Sequence, residues 1–464
     1  MPALMQALRS PSMALAVRAM MGVRYLLALS VEHNQDSLRS DNLQTSCKTQ
    51  NIDRVVSFKF SDTTGHASTS SNNSLFTFRR LNVKCTYMIE RPFWNERLVV
   101  AWKQTSIVWL TGPRRVGKTV LAQSLPDADF LNCDLPSVAE RLRDPESFFR
   151  SVKKRFVVLD EVHQLPDPSR LLKIGADGFP KLKILATGSS TLAATQKFRD
   201  SLTGRKRVVT FVPVLHEELP AFGIADVRDR LLRGGLPPAL LATKPNPEFY
   251  GEWLDSYFAR DVQELFRLEK RAAFLRLLEL LLRQSGGMLD VTKLATESQI
   301  SRPTVTNWLE IYQITHVAHL VRPFSAGGRR EIVAQPKVFG FDTGLVCHAR
   351  GWDHLRTEDC GVLWEHLVLD TLIAAGLPKI HFWRDKQQRE VDFVVPRSRD
   401  VVDAIECKWK PEAFETRGLK AFREHYPKGR NYVVSPLNDP AYERVQDGLK
   451  IVVASPGELR HAMA

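Results

Sequence analysis

Gly112, Gly117, Lys118 and Thr119 stand at the spacing G-x-x-x-x-G-K-[ST] within Thr111-Gly-Pro-Arg-Arg-Val-Gly-Lys-Thr119. Residues of these types at this spacing hold a phosphate chain. The glycines remove the Cβ atoms that would keep a backbone from wrapping a phosphate, so successive N–H groups can point inward. Lys118 then reaches the β- and γ-phosphates, and the Thr119 hydroxyl takes a position on Mg²⁺. The candidate nucleotide-binding stretch is Gly112, Pro113, Arg114, Arg115, Val116, Gly117, Lys118, Thr119 and Val120. Further on, Asp160-Glu161 closes the apolar run Arg155-Phe-Val-Val-Leu159. An Asp at a strand end can hold the Mg²⁺ through water, and the adjacent Glu can polarise the attacking water. Asp160 therefore joins Thr119 as a metal position, and Lys118 and Glu161 are catalytic candidates. Arg205, in Leu202-Thr-Gly-Arg-Lys-Arg207, reads either as a charge-stabilising arginine or as part of a solvated basic turn.

These residues need a particular frame. Thr105-Ser-Ile-Val-Trp-Leu110 reads as a buried strand leading into the loop, and Thr119 to Leu125 as the first turns of a helix whose N-terminus favours an anion. Phe130 to Asp134 and Lys183 to Thr187 read as further strands, and Pro136 to Arg150 as helical. Gly188-Ser189-Ser190 follows the last strand, where small polar residues could sense a γ-phosphate or the attacking water. Strands separated by helices imply an α/β fold, a parallel sheet with helices on both faces and the phosphate site at the strands' carboxyl ends.

The loop sequence, then Leu159-Asp-Glu-Val-His163, Ala186-Thr-Gly-Ser-Ser190, Leu202-Thr-Gly-Arg205 and Phe211-Val-Pro-Val-Leu-His-Glu-Glu-Leu219 resemble, in order, the AAA-like P-loop ATPases of bacteria and archaea. In that family the ATPase is followed by a DUF4143 domain. The resemblance runs from about residue 88 to the C-terminus. It implies ATP as the nucleotide, with Lys118, Thr119, Asp160 and Glu161 in the roles given above.

The middle of the chain has the order helix, helix, strand, basic turn, strand of a winged helix. Its parts are Asp290 to Ala295, Ser301 to Leu309, Val317 to Val321, Gly327-Gly-Arg-Arg330 and Val333 to Phe341. In a DNA-binding version Arg302, Thr304, Thr306 and Asn307 face the major groove, and Arg329 and Arg330 the backbone. In a protein-contact version Trp308 and Leu309 are simply core. Upstream, Trp253 to Asp261 reads as an amphipathic helix, and residues 262–284 as a long helix stopped by Gly286-Gly287. Near the C-terminus, Glu390-Val-Asp-Phe-Val-Val395 and Ala404-Ile-Glu-Cys-Lys408 resemble the PD-(D/E)xK nuclease fold, with Glu365 as an extra acid from a helix. There Glu365, Asp392, Glu406 and Lys408 would hold a divalent metal and position water, Glu406 and Lys408 sharing a strand face. The same fold also serves as an inert binding domain.

The expected division is an N-terminal extension (1–87), a P-loop NTPase domain (88–225), a helical connector with a winged helix (226–345) and an α/β restriction-endonuclease-like domain (346–464). The extension reads as a transit peptide, as a disordered polar segment, or as residues upstream of a start at Met88; the last reading is favoured. A hydrophobic fraction of 44% and a charged fraction of 25% describe a globular chain, and the net charge of +13 leans toward an anionic partner, nucleic acid first. Six cysteines without a C-x-x-C pair fit neither a zinc site nor a disulfide framework and suit a reducing cytoplasm. No apolar run reaches the roughly 20 residues of a membrane span. Two functions follow: an Mg²⁺-dependent ATP hydrolase acting with or on nucleic acid, or a nucleotide-gated protein-interaction module with catalytically inert C-terminal domains. The oligomeric state is not legible.

Overall fold

The computed structural model describes residues 47–49, 52–54, 88–188, 202–263, 266, 268, 270–325, 335–437 and 440–463. Packing divides the chain into Met1–Met88 and Ile89–Ala464. In the first unit the strands Cys47–Thr49 and Ile52–Arg54 pair antiparallel. The rest of the expected extension, with Ser189, Ser190, Arg329 and Arg330, lies outside the described residues.

The second unit contains a five-stranded sheet built from β1 (Ile107–Thr111), β2 (Ala128–Asn132), β3 (Phe156–Asp160), β4 (Lys183–Thr187) and β5 (Lys206–Thr210). Every pairing is parallel, in the order β2-β3-β4-β1-β5. The short apolar runs read as strands because both sheet faces are covered. The period of two then splits them: Val108, Leu110, Val158 and Leu185 enter one core, while Ile107, Trp109, Val157, Leu159, Ile184 and Ala186 enter another. The expected helix from Pro136 to Arg150 is two helices, Pro136–Arg141 and Pro145–Ser151. Pro145 lacks the N–H that an interior helical position needs, and Asp144 instead caps the second helix by accepting from Glu146 N and Ser147 N.

The expected Trp253–Asp261 helix is Pro247–Tyr257 followed by a wider π-turn over Phe258–Gln263. Helix Arg271–Arg283 leads to Val291–Ser298 and Arg302–Ile314, the latter capped by Ser301 as its sequence requires. The strands that follow, β6 (Ala318–Pro323) and β7 (Lys337–Gly340), pair antiparallel with each other. They are also the end of a larger sheet, because β6 pairs parallel with β8 (His381–Arg384). That eight-stranded sheet continues through β9 (Glu390–Pro396), β10 (Val402–Cys407), β11 (Asn431–Val434), β12 (Tyr442–Gln446) and β13 (Leu449–Ala454), in the order β12-β13-β11-β10-β9-β8-β6-β7. Helix Thr357–Ala374 lies on the same side as the large core. That core draws residues from Trp94 to Met463, so the expected second, third and fourth segments all contribute to it.

Candidate functional site

The first site forms where β1, β4 and β3 end side by side. The phosphate-binding loop leaves β1 through Gly112 at φ +136° and enters the helix Lys118–Gln123 through Gly117 at φ +103°. Arg115 also has a positive φ, 64°. Gly112 has no substitute here: a Cβ would lie 2.1 Å from the Phe211 carbonyl oxygen. A glycine at this position leaves the backbone free to wrap closely, as a phosphate cradle requires.

Three side chains and one backbone N–H form a connected row across the strand ends. Thr119 Oγ1 donates to Asp160 Oδ2 at 3.0 Å, and Thr187 Oγ1 donates to Asp160 Oδ1 at 2.5 Å. The Glu161 N–H donates to Thr187 Oγ1 at 3.1 Å. Glu161 itself sits at φ 53°, left-handed backbone that turns its side chain away from the strand line. Its carboxylate lies 3.3 Å from His163 Nδ1. Burial pushes the Glu161 carboxyl above the ordinary glutamate range, with His163 and Lys118 opposing that shift. Lys118 Nζ donates to the carbonyls of Gly112 (2.9 Å) and Pro113 (2.8 Å) across the loop. Burial lowers its pKa, and Glu161 and Asp261 oppose the change. Thr187 is the member that sequence reasoning passed over in favour of the next residues; its signal was a hydroxyl at the strand end beside Asp160.

The loop is backed by residues from far along the chain. Arg114 Nε pairs with Asp261 Oδ2 at 2.8 Å, and Trp253 Nε1 donates to the Arg114 carbonyl at 3.2 Å. Thr111 Oγ1 lies 3.0 Å from His316 Nε2. Arg115 stands 5.4 Å over the Phe249 ring, Val116 is buried, and Val120 is exposed. Arg91 lies behind the loop, donating to the Val116 carbonyl at 3.3 Å while paired with Glu218. Arg205 does not belong to this group. It precedes β5 at the edge where Lys206 pairs with Ile107, the opposite end of the sheet from Thr111, and it is paired with Asp177 at 2.7 Å. A charge-stabilising role in cis is ruled out by that position.

Hard oxygen donors at Thr119 and Asp160 suit Mg²⁺, and Lys118 faces the loop that would carry the phosphates. The residues present therefore fit a nucleotide with its metal.

On helix Arg302–Ile314, Arg302, Thr306 and Asn307 are exposed and Thr304 half-buried, while Val305, Trp308 and Leu309 are core.

The second constellation lies in the larger sheet. Lys408 Nζ stands 2.9 Å from Glu406 Oε2 and 3.6 Å from Asp392 Oδ2, and Asp392 Oδ2 also accepts from the Cys407 N–H at 2.7 Å. Lys337 Nζ lies 2.5 Å from Glu390 Oε1 and 3.5 Å from Glu365 Oε2. Burial and neighbouring carboxylates push Glu365 and Glu406 up to about 8. Asp392, Glu406 and Lys408 converge as the motif requires. Each of the four carboxylates has an ammonium within 3.6 Å, Lys337 for Glu365 and Glu390 and Lys408 for Asp392 and Glu406. Among the described residues no three His, Cys, Asp or Glu side chains gather as a metal-holding group. Glu390 and Lys337 were missed: Glu390 stands two residues before Asp392 on the same strand face, and Lys337 comes from β7, whose proximity no local pattern reveals.

No helix among the described residues is long and apolar enough to cross a membrane. Residues 104–219 match the family described as an AAA domain, and residues 360–455 and 224–356 match two domains of unknown function, DUF4143 and DUF8612. Uncharacterized proteins of Mycobacterium tuberculosis and Mycobacterium bovis are each 29% identical over 330 residues, covering 67% of this chain and 72% of the relative. Among solved structures, AMPPCP-bound DnaA from Aquifex aeolicus is 15% identical, over 47% of this chain and 85% of that chain, at a TM-score of 0.25.

Proposed function

We propose that this chain, whose residues 104–219 match an AAA domain and whose residues 360–455 match a DUF4143 domain, binds ATP with Mg²⁺, hydrolyses it, and acts with or on nucleic acid. The observation that carries the reading is the row Thr119–Asp160–Thr187–Glu161 at the ends of three adjacent parallel strands. Thr119 and Asp160 would hold Mg²⁺, which neutralises phosphate charge. Lys118 binds the β- and γ-phosphates. Glu161, oriented by its backbone bond to Thr187, orients the attacking water and takes its proton. Lys118→Ala should abolish nucleotide binding or turnover. Glu161→Gln should keep nucleotide bound while slowing hydrolysis on the order of a hundredfold or more. Normal turnover by Glu161→Gln would remove the assignment.

The nucleic-acid half of the reading rests on the net charge of +13 and on the exposed Arg302, Thr306 and Asn307. It is tested by ATPase rates with and without single- and double-stranded DNA, and by a steep loss of DNA binding with salt. A nucleotide-gated protein-interaction module is the second reading. The ammonium-filled carboxylate set of the larger sheet favours it, and DNA binding that is absent or insensitive to salt would select it.

A further inference from the structure

We propose that Lys337 is the resident cation of the carboxylate pocket in the eight-stranded sheet, an internal ammonium standing where the pocket would otherwise take a divalent metal ion. The proposal goes beyond the ATP site and does not depend on it. Lys337 opens β7, and its side chain is only 6% exposed. A lysine so buried is rare without partners. Its Nζ meets Glu390 Oε1 at 2.5 Å and Glu365 Oε2 at 3.5 Å, with the Phe382 ring centroid 5.7 Å away. Glu390 belongs to β9 and Glu365 to the helix Thr357–Ala374, so the ammonium joins two elements that the nuclease-like pattern would join through metal.

The backbone beside Lys337 is pinned. Leu289 N donates to the Pro336 carbonyl at 2.8 Å, Gly286 N to the Val338 carbonyl at 2.7 Å, and Val338 N to the Gly287 carbonyl at 3.0 Å. The ammonium is therefore delivered to the pocket by a held strand rather than by a free loop. Carboxylate oxygens are the ligands that Mg²⁺ and Mn²⁺ use, at roughly 2.0–2.6 Å. A metal bound to Glu365 and Glu390 would lie within a few ångströms of Nζ, two cations in a pocket where screening is weak. Ammonium and metal thus compete for the same oxygens. Lys408 occupies Asp392 and Glu406 in the same way, which leaves none of the four carboxylates uncommitted.

The test measures Mn²⁺ uptake by the full chain without nucleotide, from the loss of the free-Mn²⁺ electron paramagnetic resonance signal. The parent and Glu365→Gln should take up the same amount. Lys337→Met should take up a further Mn²⁺ that Lys337→Met/Glu365→Gln does not, and Lys337→Arg, which keeps a cation, should behave as the parent. Mn²⁺ should raise the Tm of Lys337→Met and leave that of the parent unchanged. A parent that loses Mn²⁺ on Glu365→Gln overturns the proposal. So does a folded Lys337→Met that gains none, or an unfolded one that Mn²⁺ does not restore.

Discussion

The imidazole of His366 is held in one tautomer by its neighbours. Nδ1–H donates to the Val362 carbonyl at 2.9 Å, so Nε2 accepts from the Ser285 hydroxyl at 2.7 Å; Ser285 Oγ in turn accepts from the Gly340 N–H at 2.7 Å. A proton on Nε2 would break this chain, and burial pushes the pKa down to about 3. The ordinary value is about 6.5. Between the two, the unfolded chain binds more protons than the folded one, so this group's contribution is present at neutral pH and lost as pH falls below about 6.5. Glu365 and Glu406, raised to about 8, contribute the opposite slope. The comparison must therefore be between the parent and His366→Gln by urea denaturation. Their stability gap should shrink by about 1–2 kcal/mol from pH 6.5 to pH 5. A gap independent of pH would mean that His366 is not buried in neutral form.

At the scale of elements, the turn before the helix Pro92–Gln104 and the segment after β5 are locked by one buried ion pair. Arg91 and Glu218 are each 6% exposed, with Nε–Oε1 at 2.7 Å. Arg91 also lies 4.3 Å over the Phe211 ring, and Glu218 Oε2 accepts from the Leu215 N–H at 2.9 Å. Arg91→Ala removes the cation paired with the buried Glu218 and should cost about 3–5 kcal/mol. Arg91→Met/Glu218→Leu removes both charges at similar volume and should cost clearly less. Denaturant midpoints of the two variants check this; equal losses would show that packing rather than the unpaired charge dominates. The same lock explains the helix Pro92–Gln104, which starts beside Arg91 and places Trp94 against Phe211 at 4.5 Å between centroids.

On the scale of the whole molecule, Met1–Met88 and Ile89–Ala464 are two compact units, and among the described residues the large core starts at Trp94. A chain shortened to begin at Met88 should keep its Tm within a few degrees and its ATPase rate near that of the full chain. A large fall in Tm would show that residues 1–87 pack against the rest. Within the second unit the shared core has the opposite consequence. Arg230, fully buried, donates to the Val214 carbonyl at 2.7 Å and to Thr343 Oγ1 at 2.9 Å. Asp342 accepts from the Gly235 N–H at 2.6 Å and from the Tyr250 hydroxyl at 2.7 Å. These bonds tie residues 214–250 to Asp342 and the helix Thr343–Arg350, which lies between β7 and β8 of the larger sheet.

The sequence by itself determined what depends on local pattern. The strands β1, β3 and β4 are short apolar runs, legible because a buried parallel strand needs no polar alternation. The phosphate loop is legible because its glycines are demanded by positive φ and by the approach of Phe211. The pairing of Glu406 with Lys408 follows from a spacing of two on a strand. Only the tertiary structure decided which strands lie side by side, since sheet order depends on contacts between distant residues. The parallel pairing put Arg205 at the opposite end of the strands from the loop, the strand order made Thr187 a partner of Asp160, and the fold set Asp261 and His316 against the loop. It also joined β6 and β7 to the larger sheet, bringing Lys337 to Glu365 and Glu390. A buried charge is settled by its neighbours in space, and those neighbours here come from four separate stretches of the chain.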